Sequence, residues 1–175
     1  MNRIKIVEIE NFFLGTADLV RSAVNIDACI REVLKRLALA VGCEWGTYWK
    51  VDGAVLRPAT LWSSPSVQAS ELDLDTKHLT LSMNTGTAGH VWRGRKPIWT
   101  TDLISDMCLP RSLEASTAGL QGGVWVPLKT DLAVYGVIEL LGKNLSPATD
   151  ELLVALENFG IKIGHLIEDE ANLKS

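Results

Sequence analysis

The sequence predicts an α+β fold in which a central antiparallel sheet of about six strands carries the terminal helices on one face and loops and short helices on the other. Three observations lead to this architecture. Apolar residues recur at helical spacing near both ends of the chain, strand-like runs separated by turn signals fill the middle, and the last two runs form an antiparallel meander. The 175 residues, of which 47% are hydrophobic, suit one domain with its own core.

Helices are predicted near both ends of the chain. Residues 6 to 24 carry apolar side chains in steps of three and four, which is a helical stripe. A second stripe covers residues 26 to 41, and Gly42 is a suitable C-terminal stop. Ser146 is the predicted cap of a long final helix. The stripe of that helix consists of Leu152, Leu156, Phe159, Ile163 and Leu166 or Ile167.

The middle of the chain is predicted to form the sheet. The runs EWGTYWKV and AVLRPATLW flank Asp52-Gly53, which favours a hairpin turn because glycine tolerates positive φ. Residues 63 to 78 are rich in Ser, Pro and Asp and are predicted to be a loop. Further strands are predicted at LTLSM, KPIWTT, GGVWVPLK and AVYGVIELLG, and short helices at GTAGHVWRG and RSLEASTAG.

Composition and charge argue against two classes of partner. The net charge is −4, and the one dense basic cluster, Arg93, Arg95 and Lys96, is too small for a nucleic-acid footprint, so we interpret it as a solvated rim. No run approaches the ~20 apolar residues of a membrane span. The N-terminus alternates charged and apolar residues, unlike a signal peptide. We therefore expect a cytoplasmic protein with no nucleic-acid or membrane partner.

No catalytic or metal centre is predicted. The three cysteines are Cys29, Cys43 and Cys108, an odd number without C-x-x-C spacing, and the three histidines fall on separate elements. Cys108 could pair with His90 or His78 as a nucleophile, but no local motif supports it. Gly86 and Gly89 are followed by histidine and valine rather than the Lys-Ser or Lys-Thr of a phosphate loop. We interpret these glycines as the bend that begins a short helix.

A ligand pocket is predicted between the sheet and its covering segments. The sequence has six tryptophans, and four of them fall in the region expected to wall this pocket, where they either bind a planar ligand or fill the core. The predicted pocket residues are Trp62, His90, Trp92, Trp99, Cys108, Leu113 and Trp125. Glu139 stands in an otherwise apolar strand, so it either points outward or satisfies a polar group at the pocket.

A longer pattern extends over nearly the whole chain. It consists of a glycine turn, a Val-Trp pair, a Pro-Ile-Trp strand, an Asp, an Arg before a short helix, a Gly-Leu pair and a Pro-Leu strand end. These places hold Gly86, Gly89, Val91-Trp92, Pro97-Ile98-Trp99, Asp102, Arg111, Gly119-Leu120 and Pro127-Leu128. In this order and spacing, the sequence from about residue 24 to 169 resembles a GAF domain, in the subtype found upstream of kinase or other output modules in bacterial signalling proteins.

The resemblance implies a domain organisation and partners. Residues 1–24 are expected to be an N-terminal helix for dimerisation or linkage, residues 25–169 the GAF domain, and residues 170–175 a tail that leads to an output module. The family implies a ligand pocket under the loops and a homodimer through the terminal helices. The expected partners are therefore a second copy of the chain, an unknown small molecule, and a histidine kinase or other output module.

The resemblance also bears on cofactors. Bilin-binding relatives attach their chromophore through a cysteine usually followed by histidine, whereas Leu109 follows Cys108 here. GKNLSPATDELL keeps the lysine (Lys143) and the acid (Asp150) of a cyclic-nucleotide motif but lacks its phenylalanine. Relatives that reduce methionine sulfoxide need several pocket cysteines, and this chain has one candidate. No cofactor is required, and a bilin or a haem is the alternative.

The sequence thus predicts a sensory or regulatory GAF domain that is not an enzyme. It would bind a small ligand or transmit a signal as a dimer in two-component-type signalling. The alternatives are a dimerisation module without a ligand and a sensor that binds bilin or haem.

Overall fold

The structure, a computed structural model, describes residues 6 to 9, residue 11, residues 26 to 105 and residues 109 to 175. Most of the predicted N-terminal helix and the pocket candidate Cys108 lie outside the described residues. The described part of that helix, residues 6 to 9 and 11, is helical, and Ile9 is buried in the core. No helix in the described ranges combines the length and the apolar character that crossing a bilayer requires.

The sheet is antiparallel throughout. Its strands are β1 (Trp45–Asp52), β2 (Val55–Ser63), β3 (Ile98–Thr100), β4 (Gly122–Lys129) and β5 (Val134–Gly142), in the spatial order β2-β1-β5-β4-β3. The described residues thus form five strands rather than the predicted six or so. LTLSM contributes only one bridge, between Leu56 and Leu81, because the chain turns into the next helix directly after it.

Helices cover both faces of the sheet. They are α1 (Ile26–Val41), α2 (Ser70–His78), α3 (Gly86–Gly94), α4 (Ser112–Thr117) and α5 (Asp150–Lys174). We call the face that packs against α1 and α5 the helical face. Its core includes Leu34 and Leu37 of α1 and Leu156 and Phe159 of α5. The predicted placement of the terminal helices on one face is confirmed for these two helices.

We call the opposite face, which α2, α3 and α4 cover, the covered face. Its core includes Leu72 of α2, Val91 and Trp92 of α3, and Ala115 of α4. Strand alternation divides the two cores, because Val124, Val126 and Leu128 of β4 lie on the helical face while Trp125 lies on the covered face.

Two helix boundaries differ from the sequence prediction. Residues 63 to 78 were expected to form a loop, but Ser70–His78 is helical, with Glu71 and Asp73 in its first turn and Lys77 and His78 in its last, which suits the helix dipole.

The final helix is capped by Thr149 rather than Ser146. The Thr149 hydroxyl accepts a hydrogen bond from the Leu152 nitrogen at 3.2 Å, so the helix begins at Asp150.

Candidate functional site

The sheet separates the four tryptophans that were expected to wall one pocket. Trp92 and Trp125 lie in the core of the covered face, whereas Trp62 belongs to the core of the helical face and Trp99 packs against it. Trp99 pairs with Val124, whose side chain is on the helical face, and its indole nitrogen donates to the Ser146 carbonyl at 3.0 Å. Trp99 therefore does not share a pocket with Trp92 and Trp125, and Trp62 instead lines a groove at the β2 edge of the sheet, with Asp73 and Lys77 of α2.

Two further pocket candidates are on α3 and α4. Leu113 is 73% exposed, so it does not wall an interior pocket. The reason is that α4 buries Ala115, and residues two positions apart on a helix point in roughly opposite directions. His90 is half-buried on α3. Its role as a ligand contact stays a prediction.

A buried ion pair lies on the covered face. The Arg111 Nη2 atom is 2.7 Å from Glu139 Oε1, and the two side chains are 3% and 1% exposed. Sequence reasoning left the direction of Glu139 open and did not name Arg111 as a site residue. Glu139 points into the interior, so the first of the two alternatives, that it points outward, is wrong.

Residues of β1 and α2 form further hydrogen bonds with the two side chains of this pair. Glu139 is central in β5, opposite Thr47 of β1 and Trp125 of β4. Its second oxygen accepts a hydrogen bond from the Trp49 indole at 2.8 Å. Arg111 immediately precedes α4, and its Nη1 atom donates to the Thr76 hydroxyl of α2 at 2.6 Å. The pair thus ties α4 and α2 to the centre of the sheet.

Two indole rings flank the arginine. The guanidinium carbon of Arg111 lies 5.2 Å from the ring centroid of Trp49 and 5.7 Å from that of Trp45, within cation–π range. The Trp45 indole donates to Asp73 of α2 at 2.7 Å, which fixes the orientation of its ring. Sequence reasoning missed both tryptophans, although their positions two residues either side of Thr47 place them diagonally about Glu139.

Two buried donors on this face have no hydrogen-bond partner among the described residues. They are the Nε of Arg111 and the indole nitrogen of Trp125, which is directly opposite Glu139 in the β4–β5 register. A buried donor without an acceptor costs about 1–3 kcal/mol. Two such donors beside a buried charged pair mark a polar region inside an otherwise apolar core, and an acceptor atom there would stabilise it.

A groove lies among the segments that cover this face of the sheet. It has a volume of about 600 Å³ and lies between α2 and α4, where Leu72, Glu114 and Thr117 are among its lining residues. Leu72 also links the groove to the buried network, because its carbonyl accepts the hydroxyl of Thr76. Within the described ranges, no three His, Cys, Asp or Glu side chains are placed to hold a metal ion.

The two described cysteines lie away from this region. Cys43 belongs to the core of the helical face, and Cys29 is buried on α1. Burial and then the negative charge of Glu170 raise the pKa of the Cys29 thiol above its ordinary value. Both effects keep the thiol protonated at neutral pH, as for a small core residue.

Solved structures of other proteins share this fold. The GAF domain of a phosphoenolpyruvate-protein phosphotransferase from Coxiella burnetii superimposes with a TM-score of 0.75 at 15% identity, covering 97% of this chain and 96% of that one. The NLH2 GAF domain of A. aeolicus, in an inactive state, gives 0.74 at 16% identity, with 97% and 99% covered. No curated protein matches the chain.

A free methionine-R-sulfoxide reductase from Neisseria meningitidis, in complex with its substrate, also has a TM-score of 0.74, at 15% identity, with 97% of this chain and 93% of that one covered. Identities this low establish the fold alone. Other free methionine-R-sulfoxide reductases share the fold as well. The prediction that this chain is not an enzyme is therefore wrong, because proteins with the same fold include these reductases, which are enzymes.

The family follows from the sequence as well as from the fold. The model of the GAF domain family matches residues 23–168, which is most of the chain. This match confirms the family that the sequence resembles, though not the subtype found upstream of kinases. The chain belongs to the GAF domain family.

Proposed function

We propose that this GAF domain is a regulatory module that binds a small molecule at the covered face, in bacterial signalling of the two-component type. The observation that carries the proposal is two buried donors that have no hydrogen-bond partner among the described residues. They are Nε of Arg111, which belongs to the ion pair with Glu139, and Nε1 of Trp125, the residue opposite Glu139 in the sheet. A purely structural core would gain stability by replacing such donors with apolar atoms. A ligand that supplies an acceptor gives the same groups a use.

The proposal includes a route from the covered face to α5. The chain leaves α3 through Arg95, whose φ is 57°, and the Arg95 carbonyl accepts the Lys129 ammonium at 2.5 Å. The same ammonium donates to Glu157 of α5 at 2.7 Å, and Lys96 donates to Glu157 at 2.9 Å. A shift of α3 therefore moves groups that hold α5. We call these four residues the α3–α5 clamp.

The proposed partners follow from the helix to which the clamp leads. A change in the packing of α5 would act on a second copy of the chain through the terminal helices, and on a histidine kinase or other output module. The alternatives make different demands on the covered face. A dimerisation module needs no ligand there, and a bilin or haem sensor would be coloured.

Native mass spectrometry of protein purified from its own host tests the proposal. We expect a small molecule bound to the wild-type protein. The Trp125→Phe variant, which loses only the indole donor and part of a ring, should retain less of it. Leu132→Ala is the matched control, because Leu132 is 85% exposed. The absorption spectrum of the same sample identifies a bilin or haem.

One result would contradict the proposal. A protein that carries no small molecule from its host, and whose melting temperature does not respond to a library of metabolites, has no ligand site at this face. The oligomeric state in the same spectra separates a dimerisation module from a monomer.

A further inference from the structure

We infer that the Arg111 guanidinium is an internal occupant of a cation-binding cage, and that the ligand is a small molecule whose guanidinium group displaces it while an acceptor atom elsewhere in the ligand bonds the Trp125 indole N–H. The cage consists of Trp45, Trp49, Thr76 and Glu139. This inference rests on the proposed function, since it names the chemical class of the ligand at the same face.

The four cage residues have the chemistry that recognises a planar cation. Two indole rings lie 5.2 and 5.7 Å from the guanidinium carbon, and the Glu139 carboxylate and the Thr76 hydroxyl accept its N–H groups at 2.7 and 2.6 Å. Charge-assisted hydrogen bonds to a carboxylate combined with ring stacking are the usual means of binding such a group.

The cage and its occupant belong to different elements. Trp45 and Trp49 are on β1, Glu139 is on β5 and Thr76 is on α2, whereas Arg111 immediately precedes α4. The carboxylate is also held by the Trp49 indole at 2.8 Å, independently of Arg111. The arginine can therefore leave while the cage keeps its shape.

Arg111 is not placed to bind an anionic ligand. Both of its terminal nitrogens have acceptors, and the carboxylate of Glu139 neutralises its charge. Its Nε has no partner among the described residues, so the internal occupant leaves its own hydrogen bonding incomplete. A free guanidinium compound can reach the same two acceptors without the constraint of the α4 backbone, which favours exchange.

Exchange would have a structural consequence at the groove between α2 and α4. The helix α4 has six residues and buries one of them, Ala115, so the Arg111 side chain is its principal polar anchor to the sheet. Once the anchor is displaced, α4 can separate from α2 at the groove lined by Leu72 and Thr117. Ligand binding would thus open the covered face.

Chemical rescue tests the inference with ethylguanidinium as the probe. In the Arg111→Ala variant of the full chain, the buried carboxylate of Glu139 loses its partner, and we expect a lower melting temperature. Millimolar ethylguanidinium should restore most of that loss, with a saturable dose response. Ethylurea, which has nearly the same shape without charge, and sodium chloride at equal ionic strength should not.

The matched control is Arg93→Ala. Arg93 is exposed and bonds Asn84. Its variant should show no rescue. Absence of rescue in Arg111→Ala, or equal rescue by ethylurea, would overturn the inference.

A second measurement decides the matter if Arg111→Ala does not fold. In the wild-type protein, millimolar ethylguanidinium should raise hydrogen exchange of the α4 amides, and ethylurea should leave it unchanged. Exchange that is the same with both compounds refutes the displacement. A host-derived ligand without a cationic group would refute the inference and leave the proposed function intact. Rescue of Arg111→Ala in a protein that carries no host-derived ligand would support the cage and count against the proposed function.

Discussion

Replacing Gly164 with alanine tests how closely α5 is seated on the sheet. A Cβ at this position would contact the Lys129 carbonyl and lie 2.5 Å from the Lys129 nitrogen, whereas ordinary van der Waals contact begins at 3.4 Å. These atoms are backbone, so no side-chain rotation relieves the contact. The neighbouring Gly160 makes a similar close approach to the Pro127 carbonyl. The variant must therefore move α5 off β4 by about 1 Å, and packed interiors resist such shifts.

The magnitude follows from two opposing effects. Overpacking in a core costs about 1–3 kcal/mol, and a clash with backbone belongs at the upper end of that range. Alanine in place of glycine inside a helix returns about 1 kcal/mol. We expect a net loss of about 2 kcal/mol in the free energy of unfolding for Gly164→Ala. For a chain of this size, this loss corresponds to a fall of roughly 4–8 °C in melting temperature.

Urea denaturation followed by tryptophan fluorescence measures the change. The midpoint should fall while the slope of the transition stays constant, which shows that stability rather than compactness has changed. Asn158→Ala is the matched control, because Asn158 is exposed on the same helix and alanine there should stabilise by at most about 0.7 kcal/mol. If Gly164→Ala is as stable as the wild type, the close approach of α5 to β4 is not what positions this helix.

Two further predictions concern α3 and its clamp. Gly89→Ala should lower the melting temperature, because the added Cβ would meet the Ser82 carbonyl. Gly94→Ala should leave the melting temperature unchanged or raise it slightly, because no heavy atom lies within 4 Å of a Cβ added there. Equal melting temperatures of the two variants would contradict this expectation. Burial raises the pKa of Glu157, but hydrogen bonds from lysines, led by Lys129, outweigh it and leave the pKa below its ordinary value of 4.5. The lowered pKa contributes stability that is present above the unfolded pKa and is lost as the pH falls through the folded pKa. The free energy of unfolding, measured by urea denaturation at about pH 7 and about pH 3, should therefore fall less between these pH values in Glu157→Gln than in the wild type. An equal fall in both proteins would refute the role of this carboxylate.

The general architecture could be predicted because it depends on local periodicity. The strand-like run GGVWVPLK and the apolar stripes of α1 and α5 predict one strand and two helices, and the structure confirms these elements. The helix α2 was missed for a local reason too. Of its nine residues only Leu72 and Thr76 are buried, so it has almost no apolar stripe. The remaining sequence evidence for a helix was the acidic residues in its first turn and the basic residues in its last.

The candidate site could not be predicted in this way. Both faces of the sheet are covered, so alternation along β5 showed that Glu139 shares a face with Val137 and Leu141 without showing what that face meets. Arg111 is 28 residues away in sequence, and only the placement of α4 brings it to the carboxylate. For the same reason, the sequence analysis assigned Trp99 and Trp125 to one pocket, although the two side chains lie on opposite faces of the sheet.

The stretch from Gly86 to Trp99 joins the two faces of the domain. Its first half is α3, which packs Val91 and Trp92 into the core of the covered face. Its second half leaves that face through Arg95, whose guanidinium donates to carbonyls of the β4–β5 turn. The basic residues that were interpreted as a solvated rim thus include two members of the α3–α5 clamp. Because the two halves are covalently continuous and packed at both ends, α3 cannot move within the covered face without altering the contacts of α5, and this is the physical condition for coupling between a ligand site and a terminal helix.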